Sequence, residues 1–182
     1  MLLLIVVVVV VTLPGAATWL NDFGGSFSFS CPRGQSVSAI SYLYRQYNDD
    51  HVYNFTCSPV TEGGRESGCS WSGYTNSIFE PVNYRCPTNS YIAGVDSYFN
   101  HPFQNRRFSF KCCEDLTLML HGCNTTDWQK TGEPLHFTVP EGTLLSAVHS
   151  QGNDQNNDWR FKFEVCTRAK YPNNVSTRLD LR

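Results

Sequence analysis

The sequence predicts an all-β protein of three internal repeats, stapled by disulfides, and three observations carry that prediction. A short pattern recurs first: Asp50–Cys57, Asn105–Cys112 and Asp158–Cys166 each open on Asp or Asn and set two aromatics two residues apart, Tyr53/Phe55, Phe108/Phe110 and Phe161/Phe163. Alternate residues of an extended chain share a face, so each copy reads as a strand with an aromatic stripe toward the core. Next, Cys31 to Cys57, Cys86 to Cys112 and Val139 to Val165 are all separated by 26 residues. Two positions that switch together from cysteine to valine read as neighbours: two disulfides, Cys31–Cys57 and Cys86–Cys112, and an apolar contact in place of a third. Finally, period-two alternation recurs along the chain, and no segment longer than a turn shows helical periodicity. The repeat period is 53 to 55 residues, in the range of repeat architectures.

In chain order, Met1–Ala17 opens with the apolar run Leu2–Val11, too short for a comfortable membrane span. Leu13-Pro-Gly breaks the run, and Gly15-Ala-Ala17 supplies small residues for cleavage. Residues 1–17 are therefore expected to be a signal peptide, and the protein to be secreted to the extracellular space with no membrane insertion. Residues 18–170 read as one domain, with repeats at about 25–72, 80–128 and 133–166. In the first repeat, Phe27, Phe29 and Cys31 alternate on one face, and Pro32-Arg-Gly34 makes a turn. A second strand runs from Gln35 to about Arg45, and a polar tip at Tyr47–Asp50 leads into the strand ending at Cys57. The later repeats start at Glu80-Pro and Glu133-Pro, where proline suits a strand's first residue. Their tips are Asn100–Asn105 and Gln151–Asp158. Residues 171–182 have no repeat counterpart and are expected to be a flexible tail.

Eight cysteines in an exported chain imply a disulfide framework. Cys69 follows Cys57 by 12 residues and Cys123 follows Cys112 by 11, so both sit in equivalent linkers. Cys113 and Cys166 each fall eight residues after their Asn or Asp, on the face opposite the aromatic stripe. Pairing Cys69–Cys113 and Cys123–Cys166 preserves the repeat and is preferred over the two other pairings, which stay open. There is no C-x-x-C pair, and the adjacent Cys112 and Cys113 do not readily share one ion, so neither a metal nor another cofactor is expected. A formal net charge of −2 gives no reason to expect nucleic acid. The five histidines (His51, His101, His121, His136, His149) share no metal or triad spacing, and Gly68-Cys-Ser-Trp-Ser-Gly73 lacks the strand–turn–helix setting of a nucleophile elbow. An enzyme is not expected.

The three tips are the candidate ligand sites. Asn48, Asp49 and Asp50 at the first, His101 and Asn105 at the second, and Asp154, Asn157, Asp158 and Trp159 at the third can bond or stack on sugars. The competing explanation is that Asn and Asp favour turns. Arg106, Arg107 and Lys111, with Arg160 and Lys162, lie near the start of their strands or at outward positions, where they either meet sulfated polymers or form a solvated sheet face. Asn54, Asn124 and Asn174 stand in glycosylation sequons.

The aromatic pattern ending in cysteine, the Cys-Pro-x-Gly strand start and the Cys112-Cys113 doublet resemble the dermatopontin family, from about Trp19 to Lys170. The resemblance implies a secreted, non-enzymatic matrix or cell-adhesion protein. Expected partners are extracellular matrix proteins, proteoglycans or cell-surface glycans, and the alternative role is that of a multivalent, lectin-like agglutinin. The tyrosine-rich acidic start of vertebrate members, an Arg-Gly-Asp motif and the family's extra cysteine pair have no evident counterpart here, which turns the expectation toward invertebrate-type adhesion. The expected architecture is a β-prism around a pseudo-three-fold axis, with a β-trefoil as alternative. The oligomeric state is not legible.

Overall fold

Eleven strands form among the described residues, which in this computed structural model are 18–61, 66–153 and 156–171. The expected signal peptide, residues 172–182, Asp154 and Asn174 lie outside them, as does the side chain of Asn157. The strands are β1 (Phe27–Ser30), β2 (Gln35–Arg45), β3 (Asp50–Pro59), β4 (Glu66–Trp71), β5 (Asn83–Arg85) and β6 (Ser90–Asn100), followed by β7 (Asn105–Asp115), β8 (Leu118–Thr125), β9 (Leu135–Thr138), β10 (Thr143–Asn153) and β11 (Asn156–Lys170). A single 3-10 turn, His101–Phe103, joins β6 to β7. No helix among the described residues is long and apolar enough to cross a membrane.

The strands make three antiparallel sheets, ordered β3-β2-β9, β1-β6-β7-β4 and β5-β10-β11-β8, here called first, second and third. Each is built on a hairpin: β2–β3, β6–β7 or β10–β11. Register pairs Ile40 with Phe55, Val95 with Phe110 and Val148 with Phe163, and each hairpin carries a bulge near its open end, at Val37/Ala39, Ile92/Gly94 and Leu145/Ala147. β4 and β8 occupy stretches that the sequence reads only as linkers. Their alternation is weak and nearly all their side chains are exposed. Edge pairing with β7 and β11, not an apolar face of their own, makes them strands.

β2–β3 is flanked by β9 from later in the chain, whereas the strands that flank the other two hairpins come from the chain before them. β1 and β4 flank β6–β7, and β5 and β8 flank β10–β11. The first strands also bind and pack in different places. β1 hydrogen-bonds to β6, yet its Phe29 ring stacks on Phe55 of β3 at 5.2 Å. Likewise β5 bonds to β10 while Tyr84 stacks on Phe110 at 5.3 Å, and β9 bonds to β2 while Phe137 stacks on Phe163 at 4.6 Å. The core lies between the sheets, where Phe108 meets Tyr53 edge-on at 5.9 Å and Phe161 at 6.0 Å. Each such aromatic removed from water contributes about 1.5–3 kcal/mol. Val139 and Val165 belong to the same core cluster.

Four disulfides close the framework: Cys31–Cys57, Cys86–Cys112, Cys69–Cys113 and Cys123–Cys166. The first two tie the residue after β1 to β3 and the residue after β5 to β7, and the other two tie β4 to β7 and β8 to β11.

Candidate functional site

Asp49 and Gln104, at φ 48° and 49°, turn the first two hairpins at their tips. The next residue but one in each case, His51 or Arg106, shares the inward parity of the aromatic stripe, and Trp159 occupies the corresponding place in β11. These three side chains form a layer over Tyr53, Phe108 and Phe161 at the tip end of the core.

Each polar member of that layer faces a carboxylate of another hairpin. Arg106 donates from Nε to Asp50 Oδ1 and from Nη2 to Asp50 Oδ2, both at 2.6 Å, with the two side chains each 3% exposed. Its remaining donors reach the carbonyl of Gly25 at 2.9 Å and Ser97 Oγ at 3.3 Å, and its guanidinium lies 5.0 Å over the Phe99 ring. His51 Nε2 stands 3.5 Å from Asp158 Oδ1. The carboxylates also hold the linkers: Gly24 N donates to Asp50 Oδ2 at 2.7 Å, and Gly132 N to Asp158 Oδ2 at 2.5 Å. Burial raises the Tyr53 hydroxyl pKa above its ordinary value of 10.0, and Arg106 opposes that rise.

The tip residues therefore divide. Asp50, Asn105 and Asp158 are buried, so they brace the hairpins instead of presenting themselves at a rim. Arg106 is a correction of the same kind: its parity points inward, and a desolvated carboxylate pair makes its burial tolerable. Asn48 and Trp159 are half-buried, while His101 is exposed. Asp49 is half-buried and accepts from Tyr44 Oη at 2.9 Å. The cavity beneath the layer holds about 10 Å³, room for about one water molecule and no sugar.

Two buried asparagines were not legible as functional. Asn76 donates from Nδ2 to the carbonyls of Ser77, Glu80 and Arg106 and accepts from Phe108 N, while Asn21 does the same for His51 O and Tyr53 N. Both fix the linker along the edge of an aromatic strand. The available signal was their position, three residues before a left-handed residue: Gly24 at φ 75° and Phe79 at φ 68°.

What the molecule offers to a partner is its outer surface. Arg107 lies 4.4 Å over the Tyr74 ring, and Tyr74 neighbours Tyr98 at 6.3 Å. Phe79 and Phe103 meet edge-on at 5.7 Å with both rings more than half exposed. On the third sheet, Lys162 and Arg160 lie 4.7 and 5.5 Å over Trp128. Lys111 Nζ donates to Ser30 Oγ at 3.0 Å. Two groupings of a glutamate with two cysteines, at Glu66 and Glu164, are built around disulfides, whose sulfurs are not thiolate ligands. In the sequons, Asn54 is half-buried on β3 and accepts from Phe55 N at 2.9 Å, and Asn124 is exposed on β8.

These features define a disulfide-stapled all-β protein with a closed polar layer and broad aromatic–cationic outer faces. Its sequence matches the family model described as Dermatopontin over residues 21–170, and the chain belongs to the dermatopontin family. It is 31% identical over 149 residues to the dermatopontin of Biomphalaria glabrata, covering 81% of this chain and 99% of that one. It is 28% identical over 158 residues to the hemagglutinin/amebocyte aggregation factor of Limulus polyphemus, covering 85% and 90%. Human dermatopontin is 26% identical over 162 residues, covering 84% and 78%. No solved structure gives a significant match.

Proposed function

We propose that this is a secreted extracellular matrix and cell-adhesion protein, which binds matrix proteins or proteoglycans through a broad surface and supports matrix assembly. Family membership over residues 21–170 carries this reading. Exposed rings beside cations, as at Tyr74, Tyr98 and Arg107, support it, because aromatic residues and arginine are enriched at protein interfaces. In this reading residues 1–17 direct export and residues 18–170 form one three-repeat, prism-like domain. Matching hairpins, bulges and ring stacks in the three sheets support that architecture. Asn54, Asn124 and Asn174 are its proposed glycan acceptors.

A second reading, a multivalent agglutinin, is favoured by one observation: a relative covering 85% of the chain carries a name that includes hemagglutinin. Exposed tip residues such as Tyr47, His101 and Phe103 are its proposed contacts. One experiment separates the two readings. The oxidised protein is tested on immobilised collagen, proteoglycan and a glycan array, with haemagglutination alongside. The matrix reading expects protein binding that free sugars leave unchanged and that Tyr74→Ala with Arg107→Ala weakens at least tenfold. Sugar-inhibited agglutination without matrix binding overturns it in favour of the agglutinin.

A further inference from the structure

The second and third sheets repeat one surface cluster that the first replaces with an apolar one. Thr75 N donates to Phe108 O at 2.8 Å, Gln129 N to Phe161 O at 3.0 Å and Leu20 N to Tyr53 O at 2.8 Å, so each linker meets the first aromatic of a stripe in the same way. The residue before each donor is Tyr74, Trp128 or Trp19, an aromatic in all three linkers. The residue before each stripe aromatic is Arg107, Arg160 or Val52, and across the hairpin these pair with Tyr98, Gln151 and Leu43. Arg107 lies 4.4 Å over Tyr74, and Arg160 and Lys162 lie 5.5 and 4.7 Å over Trp128. On the first sheet, by contrast, the equivalent Val52 is buried.

Charge gives the cluster its meaning. Arg33, Arg85, Arg106 and Lys130 each face a carboxylate. Among the described residues Arg107, Arg160 and Lys162 face none, and rings stand in its place. Arg107 spends Nε on the carbonyl of Asn76 at 3.0 Å, and Arg160 spends Nη2 on Gln151 Oε1 at 3.1 Å. Their other guanidinium donors are left for a partner. Contact with a ring also limits the freedom that each cation loses on binding.

We propose that these are two copies of one docking site for an acidic protein segment, so that a single chain joins two such segments. The proposal rests on the matrix-binding reading above and adds the partner's chemistry and the valence. A carboxylate matches a guanidinium bidentately. The adjoining rings supply apolar area, and tyrosine, tryptophan and arginine are the side chains that dominate binding energy at protein interfaces. A cation already lies over each ring, so the site offers charge with apolar surface beside it, which suits a carboxylate-bearing segment better than a neutral sugar. The two sites lie on the outer faces of different sheets, with the core between those sheets, so each is open to its own segment.

The test titrates the full oxidised chain with a short synthetic peptide of alternating glutamate and leucine, followed by NMR. Resonances of Tyr74, Tyr98 and Arg107, and those of Trp128, Arg160 and Lys162, are expected to shift and saturate as two sites, while Trp19, Leu43 and Val52 stay unmoved. Tyr74→Ala with Arg107→Ala is expected to silence the second-sheet site alone, and Trp128→Ala with Arg160→Ala and Lys162→Ala the third-sheet site alone. On a dense peptide surface the unaltered chain is expected to bind at least about 100-fold more tightly than either variant, because its second contact is intramolecular. Saturation at one site, a response at Trp19, or a variant that binds the surface as tightly as the unaltered chain overturns the proposal. An equal response to the peptide with glutamine for glutamate overturns it too, as does binding to a sulfated polysaccharide and not to the peptide. No response to the peptide, with collagen or proteoglycan binding intact, overturns the proposal and leaves the matrix reading standing; absence of matrix binding as well overturns both. Should the variants fail to fold, the titration of the unaltered chain decides alone.

Discussion

The first and second sheets share a hairpin, a bulge and a ring stack, yet they solve the same two problems differently. At the tip, the first sheet opens on an ionised pair, Asp50 held bidentately by Arg106, whereas the second opens on the neutral Asn105. At the far end, the second sheet fixes its edge covalently through Cys69–Cys113, whereas the first carries Ser58 on β3, whose one strand neighbour among the described residues is β2. Asn105 needs no counter-ion, but Asp50 does, and the arginine that supplies it belongs to the second hairpin. The difference teaches that the polar layer joins hairpins to one another, while each staple secures a single edge.

The comparison breaks most severely if that ion pair is cut. Arg106→Ala leaves the Asp50 carboxylate buried without its partner, and urea denaturation is expected to show a loss of about 3–5 kcal/mol. Adding Asp50→Asn, which gives the first tip the chemistry of the second, is expected to recover part of that loss. A loss under about 1 kcal/mol for the single variant contradicts the layer's role. Making the second sheet resemble the first is the next largest change. Cys69→Ser with Cys113→Ser frees β4, at an expected cost of about 2–4 kcal/mol by the same measurement. Peptide-resolved exchange is expected to speed up along β4 and the facing edge of β7 while the β6–β7 pairing holds. The smallest effect concerns the linker turn. Phe79 sits at φ 68° where the first linker has Gly24 at φ 75°. Phe79→Gly removes a left-handed penalty of about 1–2 kcal/mol against a glycine entropy cost of about 0.5–1 kcal/mol. A net gain of about 0.5–1 kcal/mol is expected in thermal unfolding, and a clear destabilisation shows instead that the exposed Phe79–Phe103 contact matters to the fold.

Much of the fold was legible because the aromatic stripe and the cysteine spacing are local or repeat in register. Phe108, Phe110 and Cys112 declare an inward face by alternation alone. Arg106 lies on that same face two residues earlier, but charge suggests solvent, and the carboxylate that overrides the suggestion lies 56 residues away in sequence. Asp50 and Asp158 misled for the same reason: residues suited to turns and sugars are equally suited to accepting linker amides such as those of Gly24 and Gly132. The strands β4 and β8 hid because an edge strand exposed on most of its length has no pattern to display. The outer aromatic–cation faces fell between these cases, since Lys162 and Arg160 were readable as outward but Trp128, on a linker, gave no sign of packing with them.

That each first strand bonds to one sheet and stacks its ring on another bears on how the chain folds. Phe29 cannot find both Phe55 and β6 until two separate later stretches of the chain have come together. No hairpin is bonded to the short strand just before it in the chain, so no single hairpin with that strand completes a sheet. The sheets are dominated by distant pairings, and such topologies fold in milliseconds to seconds. During that interval hydrophobic strands stand unpaired, and they are open to association with other chains until the last sheet closes.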